Sequence, residues 1–343
     1  MKPSGFVSHP CTASGDLGAY LLLDYVEEGE PLSRTWNERR TDDKLRKNLF
    51  RGLSKILLAL SRTPLAQIGS FVIDNNGFLQ LANRPLTLML QDLENEHIHI
   101  PIPRRQTFSS VDSYVNALLA CHDSRMKLQP NAAMGPGDCV KQMTALSLMR
   151  TVAHHHFEPS LNHGPFVFCL TDLYPWNILV DGNWNIKCIL DLEWAASLPI
   201  EFMRPPEWLT NQAVDVIDTD SYDILRKEFM EAFEDEEQQA PARYDLRRAS
   251  VMNNGWKNRT FWYTLALESP TGLHPLFYDR IQPPYCTSHS DQTAFYITVC
   301  YYWTHNAFDF VDAKVRDKNI YDERLRAEFG IKDDNITPSF EAY

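Results

Sequence analysis

The chain has 343 residues, of which 44% are hydrophobic and 23% charged, with 33 lysines and arginines against 45 aspartates and glutamates and a formal net charge of −12. This is the composition of a packed globular protein, long enough for two domains or one large one, and an acidic chain without a basic stripe argues against nucleic acid or an anionic membrane as partner. Seven scattered cysteines with no Cys-x-x-Cys pair indicate neither a zinc site nor a disulfide framework. With no apolar leader and no stretch of transmembrane length, a cytoplasmic protein is expected.

The run Ala19-Tyr20-Leu21-Leu22-Leu23-Asp24-Tyr25-Val26, ending in Glu27-Glu28-Gly29, predicts a buried strand leading into a turn. Over 43–61, Leu45, Leu49, Leu53, Ile56, Leu57 and Leu60 recur at helical spacing until Pro64 stops the pattern, which predicts a long amphipathic helix. A surface hairpin is expected from 70–73 and 78–81 around Asp74-Asn75-Asn76-Gly77, whose Asn and Gly tolerate positive φ. Helices follow over 110–126 and from an N-cap at Asp138 to about residue 155.

Strands are expected at 166–170, 178–180 and 184–190, the last two joined by Asp181-Gly182-Asn183. Beyond Pro205-Pro206 the pattern turns helical again over 215–238, 246–267 and 290–314, with a loop at Gln238-Gln239-Ala240-Pro241. The acidic run from Glu234 to Glu237 reads as a solvated helix end. In the third helix, Phe295, Tyr296, Tyr301, Tyr302, Trp303, Phe308 and Phe310 suit ordinary core packing better than a cation–π cage for an ammonium group. His154-His155-His156 cannot share one ion on a regular helix, because neighbours point about 100° apart, so a structural or surface role is expected.

The chemistry gathers in Leu170-Thr171-Asp172-Leu173-Tyr174-Pro175-Trp176-Asn177-Ile178-Leu179-Val180 and in Cys188-Ile189-Leu190-Asp191-Leu192-Glu193-Trp194. A hairpin folding about Gly182 would set residue 191 level with residue 173, returning Asp191 to the loop that carries Asp172 and Asn177. Phosphoryl transfer from ATP needs a carboxylate to orient the attacking hydroxyl, for which Asp172 is suited, and oxygen ligands for Mg²⁺, for which Asn177 and Asp191 are suited. The Asp-to-Asn interval is that of the protein-kinase catalytic loop, D-x-x-x-x-N.

With these motifs the sequence resembles the aminoglycoside phosphotransferase (phosphotransferase enzyme) family of protein-kinase-like folds, particularly its fungal members of unassigned substrate. Thr171 to Asp181 looks like that family's catalytic loop, and Ile189-Leu190-Asp191-Leu192-Glu193-Trp194 like its metal-binding element. The likeness extends to Tyr20 through Gly29, Ile68-Gly69-Ser70, Asn83-Arg84-Pro85-Leu86-Thr87 and Pro205-Pro206-Glu207-Trp208-Leu209. It implies an α/β (α+β) protein-kinase-like fold, with 1–30 as the remnant of a small lobe and hinge and 31–343 as a large helical catalytic lobe. It further implies ATP and Mg²⁺ as cofactors, a hydroxylated small molecule as acceptor, adenine contacts from the backbone of Asp24 and Val26, and Leu179 beneath the base.

Two departures stand out. Leu170-Thr171 occupies the place where the family commonly has His-Gly, and Lys2 is the only lysine before Glu30, with no glycine-rich loop beside it. Kinase-like enzymes use such a lysine and loop to hold the phosphates, so the sequence predicts weak Mg²⁺-nucleotide binding and little transfer by the chain as it stands. The rival expectations are an inactive, pseudokinase-like binding protein or truncated gene product, and an all-helical scaffold that binds no nucleotide.

Overall fold

The computed structural model describes residues 26–239, 246–286 and 291–330. These form a mixed α+β architecture in which helices dominate and the strands make three small antiparallel sheets. Asp24 and most of the expected strand 19–26 lie outside the described residues.

The chain begins with β1 (Glu30–Pro31), a short 3-10 turn and α1 (Trp36–Arg39). Then α2 (Asp43–Leu60) follows the expected spacing closely, because Asp42 accepts hydrogen bonds from the N–H groups of Lys44 and Leu45 and caps the helix. The surface hairpin is β2 (Ser70–Ile73) and β3 (Leu79–Asn83), turning at Gly77 with φ 83°. Asp74 fixes that turn by accepting from the N–H groups of Asn76 and Phe78, each at 2.9 Å.

Next comes a short helix absent from the sequence reading, α3 (Leu88–Asn95), capped by Thr87. The run Leu86-Thr87-Leu88-Met89-Leu90 is too short and too continuously apolar to distinguish helix from strand by period. Helix α4 (Val111–Leu128) has Ser110 as its cap. Helix α5 (Pro136–Val152) starts earlier than expected: Pro136 sits in the first turn, and Asp138, rather than capping from outside, accepts the N–H of Met134 at 2.8 Å from within.

Strand β4 (Phe166–Leu170) pairs with β7 (Ala195–Pro199), a strand the sequence did not announce. Strands β5 (Ile178–Val180) and β6 (Ile186–Ile189) form the hairpin, with β1 on the outer side of β5. After α6 (Thr219–Gln239), two expected long helices are each broken. The stretch 246–267 becomes α7 (Arg248–Lys257) and α8 (Thr260–Glu268), because Arg259 takes φ 63° between them. Helix α9 (Leu273–Leu276) runs into a π-turn, and 290–314 becomes α10 (Gln292–Trp303) and α11 (Ala307–Glu328), interrupted at the extended Thr304.

One main core joins these elements. Every residue of α8 from Thr260 to Leu267 is buried, which makes it the central helix. Helices α2 and α6 meet through Phe50 and Phe229, edge to face at 5.6 Å. The expected core packing holds for part of the aromatic run: Cys300 is in the core with Tyr296, Trp303 and Phe310 packed against it, while Tyr301, Tyr302 and Phe308 are exposed. The acidic end of α6 is not simply solvated either. Glu236 is buried and paired with Arg51 at 2.9 Å, Glu234 accepts from Asn253, and Glu237 accepts the N–H groups that open α7. No helix among the described residues is long and apolar enough to cross a membrane, and the six described cysteines carry free thiols.

Of the three consecutive histidines, His154 and His155 are exposed with ring centroids 3.8 Å apart, while His156 is buried. His156 stacks on Tyr263 and bonds to the carbonyl of Asn258, while His122 on α4 bonds to the carbonyl of Leu267. Burial, only partly opposed by those bonds, lowers both imidazoles to about 4. The folded state therefore holds both rings neutral while the unfolded chain protonates them near pH 6.5. The two rings' contribution to stability is full above that value and is lost as pH drops from about 6.5 to about 4, while Glu201, raised by burial to about 7, contributes in the opposite sense over part of that interval. Denaturant titrations at pH 7.5, 6 and 5 of the parent and of His156→Gln isolate the ring's share, and the variant should lose less stability toward pH 5 than the parent.

Candidate functional site

The loop 171–177 leaves β4 and enters β5 with little regular structure of its own, so its shape is imposed from outside. Thr171 donates its N–H to the carbonyl of Trp194, Pro175 accepts the N–H of Ser33, and Leu173 accepts the indole N–H of Trp208 at 2.8 Å. Tyr174 and Trp176 stack in parallel at 4.6 Å.

Within the loop, Asn177 is buried and its side-chain amide donates to Asp172 twice, at 3.0 Å to the backbone carbonyl and at 2.9 Å to the carboxylate. Both bonds use the amide NH₂ group, which leaves the side-chain carbonyl oxygen as the group Asn177 can offer a cation. The half-buried Asp172 carboxyl is raised by burial, opposed by the bond from Asn177, and raised further by the charges of Asp191, Glu193 and Asp92.

Asp191 follows β6 directly and is exposed, with φ 52°. Aspartate is among the residues that visit this left-handed region most readily. The hairpin returns in a different register from the one expected. Ile178 faces Ile189 and Leu179 faces Cys188, and the N–H of Leu190 donates to the carbonyl of Asn177 at 2.9 Å. Asp191 thus comes level with Trp176 and lies beside Asn177, not beside Leu173. The reason is the turn, which runs from Asp181 to Asn185 with Trp184 at φ 59° and a bulge in the ladder, in place of a tight turn about Gly182. Trp184 takes that conformation while its indole packs on Trp36 at 5.3 Å.

Leu179 is buried but stands apart from the main core that includes its neighbours Ile178 and Val180. A β-carbon placed on Gly29 would meet Leu179 and Val26, each at 3.2 Å, so the Val26–Gly29 segment crosses close over that side chain. Val26 and Leu179 are therefore neighbours, as a shared binding wall requires. Asp24, expected beside them, lies outside the described residues.

Asp92 on α3, which the sequence did not single out, lies near enough to Asp172 to act on it electrostatically. Burial and Glu96 raise its carboxyl, and its charge reaches Asp172. Behind the loop lies a cavity of about 90 Å³ lined by Leu173, Tyr174, Arg204, Glu207, Trp208 and Glu268, among others. There Arg204 pairs with Glu268, with its Nε 3.8 Å from Glu207. Burial raises Glu268 against the pull of Arg204, and the charge of Glu207 raises the phenol of Tyr174.

No family model, curated protein or solved structure matches the chain.

The site must therefore be judged on its chemistry. Asp172, Asn177 and Asp191 offer hard oxygen atoms and one half-buried carboxylate, a donor set suited to Mg²⁺ and to a hydroxyl proton. Among the described residues no three His, Cys, Asp or Glu side chains form a metal cage. Mg²⁺ does not need one, since it is held by one or two protein oxygens together with water and substrate phosphates.

Because Asp172 is raised by its surroundings, its ionised form is disfavoured in the folded state. Its unfavourable contribution grows as pH rises from the ordinary carboxylate value through the raised one, and is absent below both. Asp172→Asn should therefore raise the thermal midpoint at pH 7, with the gain disappearing as pH falls below the ordinary carboxylate range, as scanning calorimetry across that interval would record.

Proposed function

We propose that the chain is an ATP- and Mg²⁺-dependent phosphotransferase of protein-kinase-like fold, related to the aminoglycoside phosphotransferases and acting on a hydroxyl of a small molecule. The observation that carries this reading is the bond from the Asn177 amide to the Asp172 carboxylate, with the β5–β6 ladder bringing Asp191 back beside Asn177. A D-x-x-x-x-N spacing is common in sequences and carries little weight alone. Its support comes from the pairing of the two side chains and the return of a second carboxylate on the adjacent strand.

In this reading the Asn177 side-chain carbonyl and the Asp191 carboxylate would hold Mg²⁺, which would supply positive charge against the nucleotide phosphates. Asp172, half-buried and tethered by Asn177, would orient the acceptor hydroxyl and take its proton as that oxygen bonds to the γ-phosphorus and the bond to the departing ADP breaks. Its raised carboxyl brings it nearer the operating pH, which favours that proton transfer. Leu179 and Val26 form an apolar wall for the base.

Calorimetric titration with ATP, with and without Mg²⁺, tests the reading. Binding should require Mg²⁺ and weaken about tenfold or more in Asp191→Asn, the loss expected when a charged metal ligand becomes neutral. Parent binding is expected to be weak and transfer slow, since Lys2 is the only lysine before Glu30. Asp172→Asn should keep nucleotide affinity within about twofold yet lower that slow transfer to a panel of hydroxylated small molecules by about 10²–10³. Binding without transfer would make the chain an inactive nucleotide-binding protein. Binding indifferent to both Mg²⁺ and Asp191 would dispose of the phosphotransferase reading.

A further inference from the structure

Two hydroxyl groups in different parts of the chain make the same unusual connection. The N–H of Leu86 donates to Ser70 Oγ at 2.8 Å, and Ser70 Oγ donates in turn to the carbonyl of Ala195 at 3.0 Å. The N–H of Leu88 donates to Thr171 Oγ1 at 3.1 Å, and Thr171 Oγ1 donates to the carbonyl of Trp194 at 2.9 Å. Each hydroxyl thus relays a backbone N–H from the segment that opens α3 to a backbone carbonyl of the segment that opens β7. The two carbonyls belong to consecutive residues. A hydroxyl has one proton to donate and lone pairs to accept with, so this relay settles its orientation.

The connected segments are those that carry the acidic groups of the site. Thr171 precedes Asp172, Trp194 and Ala195 follow Asp191 and Glu193, and Leu88 begins the helix that bears Asp92. Leu88 N–H is one of the first donors of α3, which no carbonyl within the helix can satisfy. Taking Thr171 as its acceptor docks the helix end onto the catalytic loop. Ser70 is buried and Thr171 half-buried, so neither bond is lightly replaced by water.

We propose that Thr171, seconded by Ser70, is a positioning residue whose hydroxyl holds the Asp172 loop, the Asp191 segment and the start of α3 at fixed separation. In naming the residues so held as catalytic, the inference rests on the phosphotransferase reading. The hydroxyl relay itself is a property of the nucleotide-free chain. Holding several carboxylates close together works against their mutual repulsion, and neutral hydroxyl bonds accomplish it without introducing a cation that would compete for the same acids.

The test compares the full chain with Thr171→Val, which keeps the shape and removes the hydroxyl, Thr171→Ser, which keeps the hydroxyl, and Ser70→Ala. Nitrogen-edited NMR without nucleotide reads the Asn177 side-chain amide, which reports on its bond to Asp172, and exchange of the Leu88 backbone amide. Thr171→Val should displace the Asn177 signal and speed Leu88 exchange about tenfold or more, whereas Thr171→Ser should remain within about twofold of the parent. A Thr171→Val protein with both signals unchanged, or a Thr171→Ser protein as disturbed as Thr171→Val, overturns the proposal. Should Thr171→Val not fold, the parent and Ser70→Ala decide. Leu88 must be protected in the parent and Leu86, whose N–H Ser70 accepts, must exchange faster in Ser70→Ala, and an unprotected Leu88 or an unchanged Leu86 overturns it. Mg²⁺-ATP titration of the parent stands apart: no binding, with the NMR outcome as expected, would remove the catalytic reading and leave the relay in place.

Discussion

Three tryptophans hold the site in shape. Trp184 in the β5–β6 turn, Trp36 on α1 and Trp208 beyond Pro206 are all buried, with successive ring centroids 5.3 Å apart. At one end the indole of Trp184 donates to Thr35 Oγ1, and at the other the indole of Trp208 donates to the carbonyl of Leu173 in the loop 171–177. A buried indole contributes a large apolar face and one N–H that needs a partner. Here that combination fixes the far end of the hairpin and the middle of the loop relative to one another. The loop lacks a hydrogen-bond ladder of its own, so this stack acts with the bonds of Thr171 and Asn177 to fix its shape.

Electrostatics then works on a frame set by packing. Asp172, Asp191, Glu193 and Asp92 lie near enough for their charges to raise the Asp172 carboxyl, and no cation is among the causes of its shift. The opposite arrangement occurs a few ångströms behind, where Arg204 is buried between Glu268 and Glu207 beneath Tyr174. Beneath the loop the acids face a cation from within the chain, while Asp172 receives only a neutral donor, the Asn177 amide. Such a surface suits a ligand that brings its own positive charge, as Mg²⁺ with a nucleotide would.

Leu170-Thr171, standing in the place of the His-Gly commonly found in the family the sequence resembles, reads as a loss when only the imidazole is considered. The hydroxyl of Thr171 nevertheless bonds to two segments distant in sequence, one 83 and one 23 residues away. Ser70, part of the Ile68-Gly69-Ser70 motif, has the matching role one step further along. Neither bond leaves a sequence signature, because a serine or threonine beside a strand is more often a local cap or turn residue.

What the sequence determined by itself are the features set by local chemistry. The spacing of leucines and the Asp42 and Ser110 caps defined α2 and α4, Asp74 and Gly77 defined the surface turn, and the order of loop, hairpin and returning aspartate brought Asp172, Asn177 and Asp191 together. Long-range packing decided the rest. The left-handed Arg259 divides one expected helix, β7 forms only because β4 is there to pair with it, and Trp184 takes its place in the turn while its ring packs on Trp36. That last contact accompanies the shift in register that puts Asp191 next to Asn177 rather than Leu173. Periodicity and turn residues report energies between near neighbours. Strand register, helix breaks and the approach of Asp92 depend on contacts between residues far apart in the chain, which only the folded structure brings together.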